Sequence, residues 1–263
     1  MPEIFLLVAI TVIIALIFDF GNGMNDAANA IATVVATKVL SLRSAIILAA
    51  LGNFGGVFIF GVAVATTIAK GLVDPSIVNS YVILGGLVGS ILWVYIATFK
   101  GIPVSASHSL IGGFVGAAFV KAGVSSLKLA GIGKVLAFIV LAPLFGMIGG
   151  FLFFTIIMWL FRRVDPFKVN KYFKKLQLVS ASFYAITHGA NDAQKTMGLI
   201  AILLFSSGFL GNDFFVPTWV IYASYITIAL GTYAGGWRVI KTMGMKLTKL
   251  KPVHGFCAET AGS

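Results

Sequence analysis

Two apolar stretches of the chain carry the same polar interruption. Gly21–Ala30 reads Gly-Asn-Gly-Met-Asn-Asp-Ala-Ala-Asn-Ala, and Thr187–Met197 reads Thr-His-Gly-Ala-Asn-Asp-Ala-Gln-Lys-Thr-Met. Superposing the Asn-Asp pairs sets Asn22 on His188, Asn25 on Asn191, Asp26 on Asp192 and Asn29 on Lys195. Those positions follow i, i+3, i+4 and i+7, one face of a helix. Each copy therefore draws a polar stripe on an apolar helix, with glycines able to break the helix there. Apolar runs occupy Ile4–Phe20, Ala45–Ala69, Tyr81–Phe99, Leu110–Val120, Val135–Phe161, Leu176–Leu204 and Trp219–Tyr233. Several reach the roughly 20 residues needed to cross a bilayer. The pattern predicts an all-α integral membrane protein, a polytopic helical bundle. A polar stripe in such a bundle must face protein or a water-filled cavity, because lipid cannot satisfy it.

Composition agrees. The 263 residues are 59% hydrophobic and only 10% charged, whereas soluble domains carry about 25% charged residues. The net charge of +11 comes largely from two basic clusters. Arg162, Arg163, Lys168, Lys171, Lys174 and Lys175 form the first; Arg238, Lys241, Lys246, Lys249 and Lys251 form the second. Short basic segments between apolar runs set membrane topology, so no nucleic-acid partner is expected. One cysteine, Cys257, excludes an internal disulfide.

With both clusters on the cytoplasmic side, about five crossings precede Phe161. That odd count inserts the second Asn-Asp motif upside down relative to the first. The expected organisation is a first membrane repeat at 1–161, a basic cytoplasmic linker at 162–175 and an incomplete second repeat at 176–263. Val239, Ile240, Met243, Leu247 and Leu250 recur at helical spacing, so a basic amphipathic helix is expected in the membrane interface near 237–251. Inverted-topology repeats with broken or re-entrant helices bind substrate where the repeats meet.

Ionisable side chains at membrane depth are costly and point to function. Asp26 and Asp192, with Asn25 and Asn191 beside them, offer hard oxygen ligands suited to Na+, a proton or another hard cation. Asp19 lies seven residues before Asp26, but its counterpart in the second copy is Ala185. Lys195 and Thr196 favour an anionic substrate, although Lys195 could equally serve as an ion-pair partner for Asp192. Pro103-Val-Ser-Ala-Ser-His-Ser109 reads as a helix start with Pro103 at its first position, a geometry that binds anions. Serine also packs between membrane helices, and His108 by itself reads as an interior hydrogen-bonded residue.

With these elements together, the chain resembles the inorganic phosphate transporter family. The resemblance rests on Gly23-Met-Asn-Asp-Ala-Ala-Asn-Ala30, Gly189-Ala-Asn-Asp-Ala-Gln-Lys-Thr196 and the Pro-Val-Ser element. Gly231-Thr232, Gly235–Arg238 and Lys241–Gly244 add to it, so that it covers essentially the whole chain. It implies secondary active transport of inorganic phosphate, coupled to Na+ or H+, by alternating access between the repeats. Asp26 and Asp192 would hold the cation with Asn25 and Asn191. Ser105, Ser107, Lys195 and Thr196 would meet phosphate, with Asn22, Asn29, His108, Thr187 and His188 in support. No enzymatic activity and no cofactor are expected; the partners are phosphate and membrane lipid, a homo-oligomer is left open, and the location is the plasma (inner) membrane.

Two other classes use similar parts. A cation or Ca2+ exchanger would also place acids at the midplane of inverted repeats, but Lys195 and the seryl helix start favour an anion. An intramembrane aspartyl protease would use Asp26 and Asp192 as a dyad. Against the family pattern, Met24 stands where a small residue is usual, and the chain lacks the acidic residue that some members carry near Asn53. The 166-residue offset between the motifs also projects a second Pro-Val-Ser element near position 269. The expectation is therefore a truncated chain that would not transport without the missing half.

Overall fold

The computed structural model describes residues 2–59, 61–62, 77–245 and 250–262. Among them are nine α-helices: α1 (Pro2–Ala36), α2 (Leu42–Gly55), α3 (Ser80–Lys100), α4 (Ala106–Ala122), α5 (Leu129–Leu160), α6 (Pro166–Ser206), α7 (Thr218–Ala234), α8 (Trp237–Met245) and α9 (Pro252–Gly262). Part of the apolar run Ala45–Ala69, and the turn that follows it, lie outside the described residues.

The helix starts are set locally. Ser41, Asn79, Ser105 and Asp165 each accept a backbone N–H from the first turn of the helix that follows, satisfying donors that have no intrahelical partner. Ser105, rather than Pro103, therefore defines the start of α4. Pro166 opens α6, where its missing N–H costs nothing. Gly101 ends α3 with φ +72°, a left-handed turn that suits glycine. Most of the basic stretch expected as a linker is helical, since α6 already begins at Pro166.

α1, α3 and α5 are long and apolar enough to cross a membrane. α5 buries none of its residues against protein, as a lipid-facing helix would. α2 and α4 have 14 and 17 residues, about 21 and 26 Å long at 1.5 Å per residue. Both fall short of the roughly 30 Å hydrocarbon thickness. Among the described residues before Phe161, these three helices meet that length and composition.

The glycines of the two motifs do not break their helices. α1 runs unbroken through Gly21 and Gly23, and α6 through Gly189. These glycines serve close packing instead. A Cβ on Gly23 would lie 2.2 Å from the Ile228 carbonyl oxygen of α7, and one on Gly189 would lie 2.3 Å from Asn53 Cα of α2. α5 likewise continues through Pro143.

α1 and α6 cross antiparallel. Asp19 pairs with Thr196, while further along α1 Asp26 faces His188. Two apolar clusters bracket these polar segments. Phe18, Ile83, Leu87, Met197, Ile200 and Ile228 form one; Ala28, Ile31, Val34, Ala45, Ala181 and Ala185 belong to the other. Along α1 the order is first cluster, polar stripe, second cluster. Along α6 it is the reverse.

α7 packs on α1 as α2 packs on α6. A Cβ on Gly231 would meet the Phe20 carbonyl, and one on Gly52 would meet Ala185. Gly236 sits on Met24 as Gly56 sits on Ala190. In the motif superposition Phe20 matches Ile186, beside Ala185, and Met24 matches Ala190. α2 and α7 also share a sequence, Ala50-Leu-Gly-Asn53 and Ala229-Leu-Gly-Thr232, and Asn53 hydrogen-bonds Thr232 at 2.7 Å.

The described part of the basic amphipathic stretch is α8, Trp237–Met245, in which Val239 and Ile240 are buried in the cluster of Ala28, Ile31 and Ile46. Arg238 donates to the Phe99 carbonyl, and Thr242 to the Gly101 carbonyl at 2.9 Å. The apolar side of α8 thus covers protein instead of lipid. Residues 246–249, which complete the predicted stretch, lie outside the description.

Candidate functional site

The polar segments of α1 and α6 meet around one imidazole. His188 Nε2 lies 3.6 Å from Asp26 Oδ2 and 3.6 Å from Asp192 Oδ2. The two aspartates are 6% and 7% exposed, so both carboxylates are removed from solvent. One ligand atom from each of the three residues falls within 4.8 Å of the others.

The protonation pattern of this imidazole follows from its neighbours. Asn53 Nδ2 donates to Thr232 Oγ1, which leaves Asn53 Oδ1 as the acceptor 3.2 Å from His188 Nδ1. His188 therefore carries a proton on Nδ1. In the neutral ring, the Nε2 lone pair then faces two carboxylates. That arrangement is repulsive unless a proton or a metal cation stands among the three groups. The donor set, two carboxylate oxygens and one imidazole nitrogen, fits such a cation.

Further donors surround the acids. Asn29 Nδ2 donates to Asp26 Oδ1 at 3.1 Å. Lys195 forms a 2.5 Å ion pair with Asp192 Oδ1 and also donates to Ser107 Oγ. Lys195 thereby joins the second motif to the first turn of α4, 88 residues away in sequence. Ser107 lies beside the unpaired N–H groups of that turn, where a helix dipole favours an anion.

The structure places the remaining candidates unevenly. Asn25 is buried and donates to Thr98 Oγ1 of α3 at 2.7 Å. Asn191, its counterpart, is exposed. α3 covers Asn25, whereas α9 packs on the earlier part of α6, around Phe173, Gln177 and Ser180. Thr196 is fully buried and gives its hydroxyl to Asp19. Ser105 is exposed and accepts the His108 N–H as a helix cap. His108 is exposed, not interior, because it lies on the outer side of the first turn of α4. Thr187 bonds back to the carbonyls of Phe183 and Tyr184. Asn22 is buried beside Asp192.

Linear reading gave Asn53, Thr98 and Thr232 no role in the site; the Ala-Leu-Gly sequence shared by α2 and α7 is a signal that could have found two of them. It also passed over Glu259 of α9, which accepts from Thr33, Gln177 and Ser180.

Comparison with known proteins decides among the three classes raised by the sequence. A profile of the phosphate transporter family matches residues 22–172 and 161–263. The chain belongs to the phosphate transporter family. It is 51% identical over 250 residues to a probable low-affinity inorganic phosphate transporter of Rhizobium meliloti, covering 95% of this chain and 75% of that one. A probable low-affinity inorganic phosphate transporter of Bacillus subtilis is 42% identical over 265 residues, with 100% and 79% covered. Among solved structures, one titled the sodium-dependent phosphate transporter superposes with a TM-score of 0.87. It is 24% identical and covers 97% of this chain and 82% of that one. Membership of the phosphate transporter family sets aside the Ca2+ exchanger and the intramembrane protease: the chain is a membrane transporter and not an enzyme.

Proposed function

We propose that this chain carries inorganic phosphate across the membrane with a cation, and that Na+ is that cation. The observation that carries the reading is His188 Nε2 set 3.6 Å from both Asp26 and Asp192, with Lys195 linking Asp192 to Ser107. Carboxylates repel phosphate. A cation among Asp26, His188 and Asp192 removes that repulsion and frees Lys195 to turn toward the anion. Ser107 and the N–H groups of α4 then supply uncharged donors, with Ser105 at the cap. Cation binding therefore precedes or accompanies phosphate binding, which is the physical basis of symport. The likeness to a structure titled sodium-dependent favours Na+ over H+.

The antiparallel crossing of α1 and α6, and the exchanged contacts of α2 and α7, support two inverted repeats. In that arrangement α2 and α4 are too short to span and act as re-entrant elements. Alternating access then moves one repeat against the other around the shared site. The exposed apolar face of α5 meets lipid, and the basic clusters face the cytoplasm across a plasma (inner) membrane.

The test is binding of 32P-phosphate to the purified chain, with and without Na+. Asp26→Asn and Asp192→Asn should each abolish the Na+-dependent component. Unchanged binding in both variants removes these aspartates from the site.

A further inference from the structure

We propose that Arg238, backed by Thr242, is a positioning residue for phosphate: from α8 it holds the end of α3 and so sets where α4 begins. The proposal rests on the reading above, in which the first turn of α4 meets the anion. α3 ends at Lys100, and its last carbonyls have no partner within the helix. Those of Ala97 and Thr98 are taken by the backbone N–H groups of Gly101 and Ile102. The Phe99 carbonyl is taken by the Arg238 guanidinium, a cation placed where the helix dipole is negative. The Gly101 carbonyl oxygen lies 2.9 Å from Thr242 Oγ1, one turn along α8, and shares that hydroxyl with the Arg238 carbonyl.

The link from this clamp to the anion site is short. A Cβ on Gly101 would lie 3.0 Å from Arg238 Cβ, and its φ of +72° turns the chain out of α3. Only Ile102, Pro103 and Val104 then precede Ser105, the cap of α4. Proline fixes one of the few torsions in that link. A displacement of Gly101 is therefore carried to Ser107, which Lys195 reaches from α6.

α8 is itself seated on the first motif. A Cβ on Gly236 would lie 2.5 Å from the Met24 carbonyl oxygen, and one on Gly244 3.2 Å from that of Ala32. The last turn of α3 meets the same motif through Thr98 and Asn25. α8 comes from the second half of the chain and α4 from the first, so Arg238 ties the two halves together at the helix start that receives the anion.

Binding of 32P-phosphate and 22Na+ to the purified chain, with amide hydrogen exchange of residues 101–110, provides the test. Arg238→Met should weaken phosphate by about five- to tenfold, as expected for losing a bond from a cation to a helix-end carbonyl. Exchange at 101–110 should rise severalfold in the same variant. Na+ binding without phosphate should be unchanged, because Asp26, His188 and Asp192 are untouched. Arg238→Lys keeps a cationic donor and should recover most of the phosphate affinity. Lys241→Met removes the same charge from the same helix and should change it by less than about twofold. Thr242→Val keeps the packing of α8 and should weaken phosphate by about threefold, so the clamp is tested even where Arg238→Met does not fold, which melting in detergent reports. Unchanged phosphate affinity in Arg238→Met and Thr242→Val, unchanged exchange at 101–110, a parallel loss of Na+ affinity, no recovery in Arg238→Lys, or an equal loss in Lys241→Met each overturns the proposal. A wild-type chain that binds no phosphate sinks the transport reading instead, and the exchange measurement still decides whether Arg238 places α4.

Discussion

Lys195 donates to Ser107 across the interface between α6 and α4 while it remains paired with Asp192. A single ammonium thus ties an acid of the second Asn-Asp motif to the helix start that the sequence marks as an anion binder.

Lys195→Met should weaken phosphate binding by roughly 10- to 150-fold, the range expected for losing a hydrogen bond to a charged group. Ser107→Ala removes a neutral donor and should cost about tenfold or less. Phosphate Kd values by scintillation proximity check both. Equal losses in the two variants would mean that the ammonium charge is not what matters.

Gly189→Ala and Gly23→Ala should each destabilise the fold by about 1–3 kcal/mol, because the added methyl overpacks a helix contact. In both cases the nearest neighbour is backbone, which cannot rotate away. Gly112→Ala is the control: nothing lies within 4 Å of its would-be Cβ. Alanine there should be neutral or stabilising by up to about 1 kcal/mol. Melting temperatures in detergent separate the two outcomes.

Asn53→Ala should act on the site without touching a carboxylate. It strands His188 Nδ1, whereas Thr232 Oγ1 keeps its bonds to the Ile228 and Gly23 carbonyls. The expected cost is about 1–3 kcal/mol for the imidazole N–H left unpaired. Because the imidazole is then free to change tautomer, cation affinity should fall along with stability. 22Na+ binding and melting, measured side by side, reveal whether the two move together.

Glu259→Ala should loosen α9. The Glu259 carboxylate collects hydroxyl or amide donors from Thr33, Ser180 and Gln177, and so binds α9 to both α1 and α6. Cys257, two residues earlier, is a buried free thiol packed with Phe173 and Val253. Its reaction with a maleimide should be slow in the wild-type chain and severalfold faster in the variant, since opening exposes it. Unchanged labelling would show that the apolar packing alone secures α9.

Much of the site was legible in one dimension because membrane helices leave polar residues few places to hide. A carboxylate in an apolar helix must be satisfied by protein or by an ion, so Asp26, Asp192 and Lys195 stood out at once. The matching Asn-Asp motifs raised the expectation of a duplication, and the parity of apolar runs that of opposite insertion. The use of the glycines was misread. Glycine is equally permissive of a break and of a close approach, and only the neighbours, Ile228 and Asn53, decide which occurs.

The sequence by itself determined the class of molecule and the family, and singled out the acids and amine around which the proposed site is built. These follow from side-chain chemistry and from spacing along single helices. Tertiary structure decided the partners. It set His188 between two acids from different helices, committed Thr196 to Asp19, buried Asn25 while exposing Asn191, and brought Ser107 within reach of Lys195. Such pairings depend on how helices far apart in sequence cross and rotate, which periodicity along any one of them does not encode.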